Sequence, residues 1–166
     1  MTWVPSYALL EPPMLTPTQI TEFKTQGYLR GAKVLDDDQV EILRKEVERV
    51  ITERDNESIP QPVLCHNFTH DDAAPVWQIV NIWEASAPFK ALTKNPVICE
   101  EMAQLTEADN LRIWHDQIQY KPAARGGVNM WHQDAPLWPI IAPMTEVTAW
   151  VALDDVDVDN GCMSMV

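Results

Sequence analysis

The chain is poor in basic residues: 12 lysines and arginines stand against 25 aspartates and glutamates, a formal net charge of −13 over 166 residues. An extended phosphate backbone or an anionic membrane surface would be repelled by that balance, so neither nucleic acid nor membrane is expected as a partner. It also makes a CoA thioester a less attractive substrate, because its phosphates call for local basic groups. Cysteine is scarce as well. Cys65, Cys99 and Cys162 are odd in number and far apart. That spacing excludes a disulfide framework and a cysteine metal cluster and is read as three buried, reduced thiols. No apolar run approaches the roughly 20 residues that span a bilayer. The opening "MTWVPSYALLEPPM" lacks the basic start of a signal peptide and is broken by prolines. A soluble cytoplasmic protein is expected, with residues 1–15 extended over its surface.

The length suits one domain with a real core. Thr16 or Thr18 is placed to cap a helix running to about Gln26, with Gly27 as its left-handed stop. "GYLRGAKVL" reads as a short strand. Asp36 can cap the next helix, in which Val40, Leu43, Val47, Val50 and Ile51 share one face. Its charged residues, Arg44 and Arg49 among them, are read as a solvated surface. Residues 56–75 are polar and broken by prolines, hence a long loop, of the length that is either a functional cover or disordered. Within it His66 and His70 have the i,i+4 spacing of a helical zinc motif. Asn67 stands where that motif needs glutamate, which favours the loop reading. The stretch 75–105 has helical spacing in segments that Pro88 and Pro96 open, with Trp77 and Trp83 read as core.

After Asn110 the period becomes two. "LRIWHDQIQYKP" puts His115, Gln117, Gln119 and Lys121 on one side and Trp114, Asp116, Ile118 and Tyr120 on the other. "VNMWHQDAPLWP" and "TEVTAWVALDDV" read as further strands, and "GCMSMV" as the start of another. Helices followed by short strands predict an α+β domain. A strand with a polar inward face suits a barrel or jelly roll with a ligand in its mouth.

In a strand, His132 and Asp134 would project to the same side, with Cα atoms about 6.5 to 7 Å apart. An imidazole and a carboxylate so placed suit the two-histidine, one-carboxylate set that holds Fe(II) on one face and leaves the other open. A plain His–Asp hydrogen bond that fixes a tautomer is the other reading. Trp131 falls out of phase with the pair and is assigned to packing. "DVDVDNG" offers Asp155, Asp157 and Asp159 at calcium-loop spacing. Asn160 occupies the place of the required glycine and Val166 that of the glutamate, so the segment is read as a turn with Gly161 at positive φ.

The stretches "LTPTQITEFKTQGYL", "HDQIQYKP", "MWHQDAPLWP" and "EVTAWVALDDVDVDNGCMSMV" resemble the phytanoyl-CoA dioxygenase family of Fe(II)- and 2-oxoglutarate-dependent oxygenases, over nearly the whole chain. The resemblance implies a double-stranded β-helix, or jelly roll, with helices packed outside it. It also implies His132 and Asp134 as metal ligands, and Gln117, Trp150 and Lys121 as contacts for 2-oxoglutarate. The implied reaction is oxidative decarboxylation of 2-oxoglutarate to succinate, with dioxygen, coupled to hydroxylation of a small organic or lipid-like substrate. Halogenating relatives have a small residue in place of the carboxylate, so Asp134 favours hydroxylation. Such proteins continue into a Pro-Gly-Ser-His-like segment, a distal histidine ligand and an arginine with no counterpart here; His115 faces with Gln117 and is the histidine placed to approach the pair. Residues 1–166 are therefore expected to be the N-terminal part of one oxygenase domain, with open strand edges able to pair with another chain or with the rest of the domain. The alternative is a non-catalytic relative acting as a binding or regulatory module.

Overall fold

A computed structural model describes residues 14–166. Most of the expected N-terminal extended segment lies outside those residues. Within it Leu15 is buried, and its N–H donates to Gln104 Oε1 at 2.8 Å, so the chain is docked at that point.

Among the described residues five α-helices and three strands form in the order α1 (Pro17–Gln26), α2 (Asp37–Thr52), β1 (Leu64–Asn67), β2 (Trp77–Val80), α3 (Ile82–Ala85), α4 (Ala87–Leu92), α5 (Pro96–Thr106) and β3 (Gln117–Tyr120). The starts and stops follow local chemistry. Thr16 and Asp36 each form a reciprocal cap with the glutamine three residues on, and Gly27 ends α1 at φ 84°. Pro88 and Pro96 sit in the first turns of α4 and α5, where a missing N–H costs nothing.

Leu43, Val47 and Val50 of α2 bury one stripe against Leu35, Ile79, Ile82 and Phe89. Val40 and Ile51 flank that core, as their spacing predicts. The polar face of α2 is less idle than expected. Arg49 grips Glu46 at 2.9 and 2.8 Å, Glu53 at 3.0 Å and the Ala85 carbonyl at 2.7 Å, tying α2 to the end of α3. These bonds hold the Glu46 carboxyl below its ordinary range and the Arg49 guanidinium above its own. Arg44 donates to the Leu153 carbonyl at 2.6 Å and pairs with Asp154 at 2.7 Å, while Val151 and Leu153 pack beside the core. The C-terminal stretch is thereby latched to α2.

The sheet is antiparallel in the order β1-β2-β3, with Cys65 opposite Ile79 and Ile79 opposite Ile118. A strand therefore stands inside the expected 56–75 loop. Residues 77–80, within the stretch expected to be helical, form β2. β3 is shorter than its alternating sequence because its partner ends. Asn81 adopts φ 57°, turns the chain away from the ladder and gives its last bond to the Asp116 carbonyl at 2.9 Å. Residues 111–116 then have no strand to pair with. The expected strands at 27–35, 128–139, 145–156 and 161–166 are extended or turned chain without a ladder. Among the described residues the mixed α and antiparallel β organisation is present, with three strands.

The side chains also correct several assignments. The cysteines are free, as expected, but none is buried; Cys99 is exposed, and partial burial raises the thiol pKa of Cys65. Trp77 and Trp83 are half-buried and carry Arg54 and Lys90 over their rings at 5.2 and 5.3 Å, while Val76, Ile79 and Ile82 form the core beside them. Trp131 is 69% exposed and does not pack.

Candidate metal centre

The segment that carries the histidine and aspartate is anchored just ahead of them. Gly127 donates to the Pro75 carbonyl at 3.4 Å. A Cβ on Gly127 would lie 2.9 Å from the Ala74 carbonyl oxygen and 3.1 Å from both Thr69 Cγ2 and Val76 Cγ2. Only glycine allows the chain so close to the loop between β1 and β2.

Seven residues on, Asp134 is not in a strand. Its backbone is at φ −74°, ψ −38° and opens a 3-10 turn over Ala135–Leu137, closed by Leu137 N–H to the Asp134 carbonyl at 2.8 Å. Pro136 within that turn rules out a ladder donor there. His132 and Asp134 converge all the same, through the turn rather than through strand alternation. His132 Nε2 lies 3.5 Å from Asp134 Oδ1, and both side chains are about half exposed. On the other side of the ring, Nδ1 is 2.8 Å from the Met130 carbonyl. A carbonyl only accepts, so Nδ1 carries a proton, and in the neutral ring Nε2 is the nitrogen left to coordinate. A ring fixed by its far N–H is the usual support of a metal-bound histidine. The 3.5 Å gap is long for a hydrogen bond and close to the spacing of adjacent donors on one ion.

His115 stands beside the pair. Its ring meets Trp138 edge to face at 5.1 Å, and the charge of Asp134 reaches it. Partial burial lowers its pKa against that charge, which favours the neutral ring. His115, His132 and Asp134 are nevertheless not gathered around one point, and among the described residues no three His, Cys, Asp or Glu side chains are placed to hold an ion.

The residues assigned to 2-oxoglutarate are dispersed. Gln117 is exposed on the outer face of β3, opposite the face that Ile118 and Tyr120 turn to the core. Trp150 is 53% exposed. Lys121 reaches over the turn near Gly161, its Nζ 3.7 Å from where a Cβ on that glycine would lie. None of the three bonds to His132 or Asp134. The turn itself is self-contained. Asp157 Oδ1 accepts from Asp159 and Asn160 N–H at 2.9 and 3.2 Å, and Gly161 sits at φ 99°. The turn reading of "DVDVDNG" therefore holds, with Asp157 Oδ1 and Asn160 Oδ1 accepting from its own backbone.

Sequence reasoning passed over four polar residues. Asn81, Asp116, Asn129 and Glu146 bury side-chain oxygens without a donor. The signal at Asp116 and Glu146 was a carboxylate set on the core-facing side of, or within, an apolar run. Asp116 is pushed up to about 6 by burial, which the N–H groups of Trp83 and Ile82 offset only in part.

No described helix is long and apolar enough to cross a membrane. No curated protein matches the chain. The model of the phytanoyl-CoA dioxygenase (PhyH) family matches residues 23–166, a span that includes the His132–Asp134 pair, its Gly127 anchor and all three strands. The chain belongs to the phytanoyl-CoA dioxygenase family.

Proposed function

We propose that this chain contributes the metal-binding face of a non-haem Fe(II)- and 2-oxoglutarate-dependent dioxygenase that hydroxylates a small organic or lipid-like substrate. The observation that carries the reading is the His132 ring: Nδ1 is tied to the Met130 carbonyl while Nε2 faces Asp134 Oδ1 at 3.5 Å. A nitrogen and a carboxylate oxygen so presented suit Fe(II), and they are two of the three protein donors of the facial set. The chemistry such an ion supplies is activation of dioxygen, with 2-oxoglutarate as the reductant.

The residues have separable tasks. Met130 fixes the tautomer of His132. The 3-10 turn after Asp134 aims its carboxylate back toward the ring. His115 and Trp138 stand together on one side of the pair. In this reading Gln117 and Trp150 flank 2-oxoglutarate. Lys121 meets a carboxylate by leaving the turn beside Gly161. The family reading extends the three-stranded sheet and the extended runs after it into a double-stranded β-helix with the helices outside.

Mn(II) serves as a redox-quiet probe. Titration should show one site whose affinity falls at least about tenfold in His132→Ala, in line with loss of a ligand or its support. Binding that is indifferent to His132 overturns the ligand assignment. In a separate assay, Fe(II)- and oxygen-dependent release of succinate from 2-oxoglutarate should disappear in the same variant. Metal binding without succinate release would point instead to a non-catalytic binding module.

A further inference from the structure

His66 and His70 lie apart from the His132–Asp134 pair in the chain, on β1 and on the turn that follows it. Their spacing suggested a helical metal motif only if the stretch were a helix, which it is not. Strand and turn nevertheless bring the two rings together, with centroids 6.2 Å apart and planes at 73°. Two imidazoles sharing one ion at metal–nitrogen distances of about 2.0 to 2.1 Å have centroids about 4.5 to 5.5 Å apart, within reach of a side-chain adjustment of the exposed His70.

The His66 ring is supported, and so is the backbone turn that carries His70. His66 pairs across the ladder with Gln78, and its Nε2 is 3.0 Å from Gln78 Oε1. An amide oxygen accepts, so Nε2 carries a proton, and in the neutral ring Nδ1 is the nitrogen left to coordinate. That is the carbonyl support a metal-bound histidine ordinarily has. His70 N–H donates to the Asn67 carbonyl at 3.2 Å. Asn67 Oδ1 in turn accepts from Thr69 N–H at 3.3 Å, Thr69 Oγ1 at 2.8 Å and Val76 N–H at 3.2 Å. The turn that carries His70 is therefore built before any ligand arrives, which lowers the entropy cost of binding. His66 is half-buried and His70 exposed, so the remaining coordination positions open to water.

We propose that His66 and His70 form a two-imidazole site for a borderline divalent cation of the Zn(II), Ni(II) or Cu(II) class, separate from the His132–Asp134 pair. Neutral imidazole prefers these ions to the hard cations that carboxylates select. The proposal does not depend on the oxygenase reading.

The probe is Zn(II) alone, titrated by calorimetry at neutral pH into His132→Ala protein, so that the other pair does not contribute. One Zn(II) should bind. Adding His70→Gln should weaken it at least about tenfold, and Gln78→Leu, which removes only the support of His66, by about tenfold. His70 is exposed, so H70Q keeps the fold, and an unchanged far-UV circular dichroism spectrum verifies this. Absence of Zn(II) binding in the His132→Ala protein overturns the site. So does an isotherm that H70Q leaves unchanged.

Discussion

Asp116 ends the alternating face of the lead into β3 with an unusual burden: its Oδ1 is buried without a donor, next to an Asn81 that also buries an unpartnered oxygen. The Asn81 amide is committed to Glu84 Oε1 at 3.0 Å, so it does not serve Asp116. Burial raises the Asp116 pKa from 3.8 to about 6, and the sign of the linkage follows. Below 3.8 the group is protonated in both folded and unfolded chains and has no effect. Between 3.8 and about 6 the unfolded chain loses its proton first, so this group's contribution falls as pH rises. Above about 6 the penalty is constant. Asp116→Asn keeps an acceptor for the N–H groups of Trp83 and Ile82, adds a donor and removes the ionisation. Relative to wild type, the variant should gain on the order of 1 to 2 kcal/mol between pH 4 and pH 7, a figure already reduced for partial solvent access. Urea unfolding at the two pH values measures it. Parallel changes in the two proteins would show that Asp116 ionises freely.

Elements differ in how far their origin can be read from sequence. Thr16, Asp36, Gly27, Pro88 and Pro96 act within four residues of themselves, and each falls where its local chemistry places it. The strands obey a partner elsewhere in the chain. The alternating run from Leu111 is as strand-like before Gln117 as after it, yet only the part opposite Trp77–Val80 pairs. The proposed metal pair shows the same division. His132 and Asp134 are legible in the sequence as a pair, but their convergence comes from a 3-10 turn that strand counting does not foresee. Nor does composition reveal the close approach at Gly127, whose position is set by the carbonyl of Ala74. That carbonyl also accepts from Thr69 Oγ1 at 3.0 Å and cannot easily give way. Gly127→Ala should therefore destabilise the fold by roughly 1 to 3 kcal/mol, the usual range for overpacking. The fall should appear in thermal or urea unfolding. A variant as stable as wild type would mean that the segment is not pinned against the loop between β1 and β2.

For the whole molecule, apolar burial and charge are unevenly matched. Among the described residues the buried apolar side chains all lie between Leu15 and Leu105, whereas Met130, Trp131, Leu137, Ile140 and Val158 are each more than half exposed. Exposed apolar side chains grouped in one stretch favour association by removing their surface from water. Extended chain without a ladder adds unpaired N–H and C=O groups that another strand can satisfy. Opposing both is a net charge of −13, which drives identical molecules apart. The two terms respond differently to salt. At about 0.01 M the Debye length is roughly 30 Å and repulsion acts well before contact; at about 1 M it is roughly 3 Å and repulsion is confined to touching groups. Apolar association survives that change. Sedimentation velocity should accordingly find mainly single chains at low salt and concentration-dependent association at high salt. Trp131→Glu should reverse the association by placing a charge within the apolar stretch. Single chains at both salt concentrations would show that this surface remains solvated on its own, and association strongest at low salt would make the contact ionic rather than apolar.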